Sequence, residues 1–528
     1  MRAHPPTRRA GLVAAVAVTA VLGPLVPAAA GPLPAAINLC RATSSDLDLN
    51  GDGYDDAVVG DPYATVAGAR EAGAVVVLYG DADRRIGEGR RLVLTQASVP
   101  GSNVEAGDRF GWSVALDDAT GDGCADLLVG SPGEDWRGDV DAGIVHLISF
   151  TPDGSGGPGA AHGDLLDQAR LGGSVEAGDQ LGWAVAIGDT GPGSEEATVA
   201  VGAPGEDLGN AADAGVVHAA FAAEFGVVQP NQWRQGGGLP GVPEDGDRFG
   251  SSLVVAPLWV SDGTDTAIEP TVVAGAPGDR VPGAGATAAD GAGSVTTWDL
   301  VTSFRQQVTQ ESPGVPGRAE AGDAFGGSLA FGKTGMDEQG PRDVVVGVPG
   351  EDLGRIRDAG SVTLFGDHPG DGLRAEQAFD QGSATFAGSP EEGDRFGAAV
   401  ALRPRGSALA LVVSAPWEDV GSVADAGLVQ VASVSRDGRD VVGVRAYSEN
   451  SSGTPGAVTR GSRFGLALAA MSGTAESVVA VSSPHQGAGS VFVVDSDDGT
   501  RSWVPGRGGV PASSGRFGWS LGGLQTQR

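Results

Sequence analysis

The pair Phe110-Gly111 returns along the chain as Leu181-Gly182, Phe249-Gly250, Phe325-Gly326, Phe396-Gly397, Phe464-Gly465 and Phe517-Gly518. The spacing is roughly seventy residues, the size of one supersecondary unit in a repeat array. Most copies follow an acidic turn, as in Glu105-Ala106-Gly107-Asp108, and the turn recurs up to Glu392-Gly393-Asp394. A second marker trails each of the first six copies: Gly130-Ser131-Pro132, Gly202-Ala203-Pro204, Gly275-Ala276-Pro277, Gly347-Val348-Pro349, Ser414-Ala415-Pro416 and Ser482-Ser483-Pro484. Gly60-Asp61-Pro62 stands ahead of them all. A third marker, Asp-Ala-Gly, begins at Asp141, Asp213, Asp358 and Asp425. Each marker borders a short apolar or alternating run bounded by Gly, Pro and Asp, which reads as a strand. No helical period follows the N-terminal segment.

Four short strands per unit, repeated around a chain, predict an all-β fold: a seven-bladed β-propeller of four-stranded antiparallel blades. The two main markers are out of phase. The chain opens on Gly60-Asp61-Pro62 and closes on Phe517-Gly518-Trp519-Ser520-Leu521. A C-terminal Phe-Gly strand that completes the first blade uses both leftovers and hides two sheet edges that would otherwise invite aggregation. The alternative inner strand, Cys40 to Asp46, fits by spacing but is polar for that position.

Asp48-Leu49-Asn50-Gly51-Asp52-Gly53-Tyr54-Asp55-Asp56 carries oxygen donors at alternate positions around a glycine. A calcium ion takes about six to eight oxygens, and a short loop can supply them from positions 1, 3, 5 and 9 and the carbonyl of position 7. Here those are Asp48, Asn50, Asp52, Asp56 and Tyr54, with Gly53 at the turn. An EF-hand would need a Glu at position 12, where Val59 stands, and helical flanks where β-branched residues run. A strand–loop–strand ion site fits better; a metal-free acidic hairpin is the alternative.

Arg2, Arg8 and Arg9 precede an apolar run from Ala10 to Val26 and then Ala28-Ala29-Ala30. That is the pattern of a secretory signal peptide, assigned to residues 1–30 and followed by a lead-in at 31–45 and the propeller at 46–528. Thr7 to Leu12 partly resembles a twin-arginine signal, so the export route stays open. No other apolar run is long enough to span a bilayer, and a secreted, soluble, monomeric protein is expected. Asp and Glu number 67 against 34 Lys and Arg. That balance disfavours nucleic acid and anionic membranes and favours cations or basic partners. The two cysteines, Cys40 and Cys124, predict one disulfide in an oxidising compartment, or else two thiols.

Phe-Gly followed by Gly-Ala-Pro at this spacing, with Asp-x-Asn-x-Asp-Gly-x-x-Asp between them, resembles the FG-GAP repeat of integrin α-subunit β-propellers and their bacterial relatives. The resemblance covers essentially the whole mature chain. It implies a seven-bladed propeller, calcium in loops between the first two strands of certain blades, and ligands met on the opposite face. By motif, one calcium site is Asp48, Asn50, Asp52, Tyr54 (carbonyl) and Asp56. The second is Asp118, Thr120, Asp122, Cys124 (carbonyl) and Asp126, with Gly123 at the turn. The corresponding loops at Asp189–Glu196, Asp262–Glu269 and Met336–Arg342 lose the spacing, and Arg403–Ser407 and Ser472–Glu476 lack ligands. Two calcium ions are therefore expected.

Other signals have plainer readings. Gly518-Trp519-Ser520-Leu521-Gly522 matches the hydrolase nucleophile elbow, but it lies in the last repeat and lacks downstream partners. Arg137-Gly138-Asp139 lies in a repeat loop whose sisters carry other tripeptides. His146, His162, His218, His368 and His485 show no metal-ligand spacing. The recurring Glu134-Asp135, Glu206-Asp207, Glu351-Asp352 and Glu418-Asp419 leave open a functional acidic face. The expected function is non-catalytic, calcium-dependent binding of an extracellular protein or glycan, as in adhesion, on the acidic face opposite the calcium loops. A secreted hydrolase or lyase built on the same scaffold is the alternative, since fold does not fix function.

Overall fold

The computed structural model describes residues 47–522, apart from 81–85, 88, 122, 151–160, 190–196, 224–225, 262–265, 283–288, 334–341, 384–385, 406–407, 436–440, 453, 455, 473–476 and 496–498. The signal-peptide, lead-in and Cys40–Asp46 assignments, and Asp122, therefore lie outside the described residues. Seven four-stranded antiparallel sheets make up the described chain, with one 3-10 turn at Gln96–Ser98 and no α-helix among the described residues.

The second blade gives the plan. Ser113–Asp117 is innermost, followed outward by Asp126–Ser131, Ile144–Phe150 and Ala161–Leu166. Asp126–Ser131 is buried along its whole length, because blades pack against both faces of it, so its sequence runs apolar rather than alternating. Outer strands such as Gly226–Trp233 and Gly372–Phe379 are largely half-exposed and correspondingly polar. The first blade combines Ala57–Asp61, Ala74–Leu78 and Arg91–Leu94 with Ser520–Gly522 from the far end of the chain. Val58 is opposite Gly522, Val59 opposite Leu521 and Gly60 opposite Ser520.

The core lies between blades. One cluster joins Val58, Val75 and Val77 of the first blade to Leu116, Leu127 and Val129 of the second. Each repeating Phe or Leu is at most 1% exposed, a burial of about 1.5–3 kcal/mol for each such side chain.

The Phe-Gly pair precedes the inner strand rather than lying within it. Its backbone N–H crosses to the preceding blade: Phe110 donates to Ala72 O, Leu181 to Ala142 O and Phe517 to Ala488 O, each at 3.0 Å. The acceptor alanine belongs to the third marker, which is degenerate as Glu71-Ala72-Gly73, Gly291-Ala292-Gly293 and Gly487-Ala488-Gly489 in three blades. A Cβ on Gly130 would sit 2.0 Å from the carbonyl oxygen of Gly182 in the next blade. The glycines of Gly-x-Pro and Phe-Gly are thus a matched pair across one seam. Ser113 Oγ, two residues past Phe-Gly, donates to that same Gly182 carbonyl at 2.7 Å. The three markers are one seam, repeated around the ring.

Candidate functional site

Strand direction places the acidic hairpin loops at one end of the blades and the Phe-Gly turns at the other. In the first loop, Asp48 Oδ1 accepts the Gly51 N–H at 2.7 Å and its Oδ2 accepts Gly53 N–H at 2.9 Å. Asn50 Oδ1 accepts the Asp52 N–H at 3.1 Å, and Asp52 Oδ1 accepts Tyr54 N–H at 3.0 Å. The Asp56 carboxylate is held by Leu49 N–H at 2.9 Å and Gly80 N–H at 2.8 Å. Asp48 and Asp56 are both 0% exposed. Burial pushes the Asp56 carboxyl well above the usual carboxylate range, and the charges of Asp48 and Asp52 push it further. Backbone amides thus curl the loop around converging like charges, and a bound cation would reverse their mutual penalty.

The second loop repeats the pattern. Asp118 Oδ2 accepts Gly123 N–H at 2.9 Å, and Asp126 Oδ2 accepts Thr120 N–H at 2.8 Å. Gly53 and Gly123 share a left-handed conformation, with φ of 88° and 87°. The Thr120 hydroxyl oxygen is buried without a hydrogen-bond partner, which suits a metal ligand. Ala125 N–H donates to Asp48 O at 3.1 Å, so the two loops are joined. Both donor sets fit a hard cation; Asp122 lies outside the described residues. In the fourth blade Thr266 to Glu269, within the degenerate stretch, are instead strand residues paired with Leu258 to Ser261.

At the other end, glutamates of the Pro-Gly-Glu-Asp loops turn inward, while Asp135, Asp207 and Asp419 stay exposed. Glu134, Glu206 and Glu418 are 5%, 6% and 9% exposed, each taking a hydrogen bond from a linker glutamine: Gln96, Gln168 and Gln381. The adjacent aspartate closes its own loop, as Asp135 Oδ1 accepts Asp141 N–H at 3.0 Å and Asp207 Oδ1 accepts Asp213 N–H at 2.9 Å. Asp141 and Asp213 have φ of 51° and 49°, a left-handed conformation that Asp tolerates better than most side chains.

Near the axis this end is aromatic and cationic. Trp519, Trp112 and Trp183, each directly after a Phe-Gly or Leu-Gly pair, form a chain of rings with centroids 5.1 and 4.8 Å apart. Tyr63 joins it 5.1 Å from Trp519. Arg516 lies over Tyr63 at 4.7 Å and Arg109 over Trp112 at 5.6 Å. Farther round, Trp417 is flanked by Arg395 at 5.0 Å and Arg463 at 5.2 Å. The cleft of about 490 Å³ that holds them is also lined by Glu391, Glu392, Asp394, Asp419 and Asp425, so the cationic character belongs to the axial arc and not to this cleft. Burial, then the nearby Arg516 and Arg463, lowers the His485 imidazole to about 4; it is neutral there, and the arginines carry the charge. The remaining residues at the tryptophan position are Ser251, Gly327, Ala398 and Leu466, so the aromatics occupy one arc. That unevenness at a repeat position was the available sequence signal for this arc; the Arg-Phe-Gly-Trp strings read on their own only as strands.

Three tempting motifs have structural roles. Ser520 Oγ donates to Gly111 O at 2.8 Å, the seam bond that Ser113 makes in the next blade. Arg137-Gly138-Asp139 is the tip of a tight loop, with Asp139 N–H donating to Trp136 O at 3.0 Å and Arg137 paired to Asp167 at 2.8 Å. Ser102 Oγ lies 3.0 Å from His146 Nε2, but His146 is 0% exposed, and the equivalent His218 ties the linker through the Leu171 carbonyl at 3.1 Å. His368 pairs with Glu376 at 2.8 Å. No described helix is long and apolar enough to cross a membrane.

A model of the FG-GAP repeat matches residues 41–78 and 110–148, the two repeats that contain the acidic loops. The chain is 40% identical over 94 residues to Integrin alpha pat-2 of Caenorhabditis elegans, covering 17% of this chain and 7% of that protein. It is 23% identical over 150 residues to the Phosphatidylinositol-glycan-specific phospholipase D of Dictyostelium discoideum, covering 27% and 15%. The match therefore spans a small part of each curated relative's length. Among solved structures, a periplasmic gluconolactonase of Pseudomonas aeruginosa aligns with a TM-score of 0.42 and 16% identity, over 88% of this chain and 98% of that one. With seven blades joined by Phe-Gly and Gly-x-Pro seams, the chain is a seven-bladed β-propeller that carries FG-GAP repeats and resembles the integrin α-subunit.

Proposed function

We propose that this protein is a secreted, calcium-stabilised, non-catalytic propeller that binds an acidic extracellular glycan on its Phe-Gly face. The observation that carries this reading is the axial arc of Tyr63, Trp519, Trp112 and Trp183, flanked by Arg516 and Arg109. Half-buried indole faces offer apolar platforms for the C–H faces of sugar rings. Arginine forks bind carboxylate or sulfate groups in bidentate fashion. Such a cationic arc on a chain of net charge −33 selects for acidic ligands locally while the rest of the surface repels them.

The ligand class replaces the basic partner that composition alone favours, because the recurring glutamates are buried and the axial groups are arginines. At the opposite end, Asp48, Asn50, Asp52, Asp56 and the Tyr54 carbonyl would hold one calcium ion. Asp118, Thr120, Asp122, Asp126 and the Cys124 carbonyl would hold another. The ions would stiffen two adjacent hairpins rather than act in chemistry. Secretion rests on the N-terminal pattern of Arg8, Arg9 and the apolar run after them.

The test is a glycan array followed by calorimetry with the mature protein in calcium. Trp112→Ala and Arg516→Ala should each weaken binding of uronic-acid or sulfated glycans by about tenfold, roughly 1.4 kcal/mol, with melting temperatures near wild type. Equal binding by wild type and both variants, or turnover of the bound glycan, overturns the reading.

A further inference from the structure

The crossover into the fourth blade gathers three carboxylates. Its linker supplies Gln235, Glu244 and Asp247, and the loop after Pro277-Gly278 supplies Asp279. One oxygen each of Glu244, Asp247 and Asp279 lie within 4.8 Å of one another. Asp247 and Asp279 are 1% and 6% exposed, so both charges are removed from water in each other's presence.

Two oxygens in this group have no hydrogen-bond partner: Asp247 Oδ1 and Gln235 Oε1. Gln235 is itself 1% exposed and is anchored inside the cluster, where its Nε2 donates to Asp279 Oδ2 at 2.9 Å. Ser294 Oγ and, at 3.1 Å, Gln307 Nε2 also donate to Asp279 Oδ2. Asp247 Oδ2 accepts the Glu244 N–H at 2.7 Å. The neighbouring cation, Arg280, lies 3.9 Å from Glu244 but 2.5 Å from Asp290. Among the described residues no ion pair joins it to Asp247 or Asp279. A buried, all-oxygen set with two unanswered acceptors suits a hard cation. Gln310 Oε1 and Asp323 Oδ1 are also unanswered in the fifth blade, so what marks this crossover is the third carboxylate oxygen within 4.8 Å.

The second, third, fifth and sixth blades carry Glu134, Glu206, Glu351 and Glu418 where the fourth has Asp279. A glutamate is one methylene longer, so Asp279 sets its carboxylate at a different reach from the glutamates of the other blades. Glu244 and Asp247 also line an open cleft of about 570 Å³ that includes Leu208, Ala211 and Arg280, which gives an ion a path from solvent.

We propose that this crossover binds one divalent cation of the calcium class through Glu244, Asp247, Asp279 and the Gln235 side-chain carbonyl, separately from the two hairpin loops. The experiment is equilibrium dialysis with radioactive calcium on the full-length mature protein. Asp247→Asn should remove one bound ion per chain, while Asp179→Asn at the matching place in the third blade should remove none. The one-ion loss in Asp247→Asn should be unaltered when the hairpin loops are disabled by Asp48→Asn and Asp118→Asn, so failure of the loop sites and failure of this one are told apart. Glu244→Gln, at a half-exposed position that leaves the core intact, should weaken the same ion's affinity by at least tenfold. An unchanged ion count in folded Asp247→Asn, an unchanged affinity in Glu244→Gln, or an equal loss in Asp179→Asn overturns the proposal.

Discussion

At the scale of single residues, the repeated turns place buried carboxyls beside one another. Burial first, and then Glu351 and Glu320, raises Asp323 to about 8, and burial raises Glu351 to about 7 despite the hydrogen bond from Gln310. Asp179 likewise rises to about 7, through burial and then the charge of Glu206. Unfolded carboxyls titrate near about 4, so between about pH 4 and about pH 8 the folded state holds the extra protons. The stability these groups contribute is complete at acid pH and is lost as pH rises through that window. Burial lowers His146 and His218 to about 4, and below about pH 6.5 these pull the other way, because the unfolded chain then binds more protons. The clean interval is therefore about pH 6.5 to about pH 8. In chelator, calorimetry should give a higher melting temperature at the lower of those two values, and Asp323→Asn should reduce the difference. A melting temperature that falls on that acidification contradicts the assignment. The glutamates recur visibly in the sequence, but their burial does not, because Gln96 and its counterparts lie outside any marker and only folding brings them to Glu134.

At the scale of elements, the hairpin loops are where sequence spoke most directly. Alternate donors around Gly53 curl in the manner their spacing predicts, since short-range amide bonds to Asp48 and Asp52 set the loop's shape. Calcium binding to the folded state alone should stabilise it by about 3–4 kcal/mol at about 100 to 1,000 times the dissociation constant. Asp52→Ala should abolish most of the melting-temperature difference between chelator and millimolar calcium, and Glu196→Ala should leave it unchanged. Identical melting curves for wild type in both conditions would remove the loops from consideration. The aromatic arc was less legible. Trp112 and Trp183 stand beside markers in the sequence, yet their ring-to-ring approach depends on neighbouring inner strands from separate repeats.

At the scale of the whole molecule, the first blade depends on both ends of the described chain. Deleting residues Arg516 to Arg528 would strip Ala57–Asp61 of its inner partner and remove the buried Phe517. The truncated protein should aggregate or unfold without cooperativity, whereas trimming Gln525 to Arg528 should be silent by chromatography and calorimetry. A soluble truncated monomer of unchanged stability would return the inner position to residues 40–46. A disulfide between Cys40 and Cys124 is proposed at the same closure. Cys124 is 1% exposed and the described residues include no free cysteine; Ala125 beside it bonds to Asp48 of the first blade. Such a bridge should contribute about 4 kcal/mol by the chain-entropy estimate for a long loop. Two titratable thiols in denatured, unreduced protein would refute it.

What the sequence determined by itself is whatever depends on local chemistry repeated in register. Strand runs, seam glycines and oxygen-rich loops each act within a few residues, and repetition multiplies a weak signal into a seven-bladed ring. The tertiary structure decided what depends on approach between repeats. It turned Glu134 and its kin inward and converted Ser520 from a seeming nucleophile into a seam donor. It also set Asp279 against Asp247 and lined the axis with tryptophan and arginine. The reason is physical: which side chains meet across a seam is fixed by the close packing of neighbouring blades, and no spacing within one repeat encodes that distance.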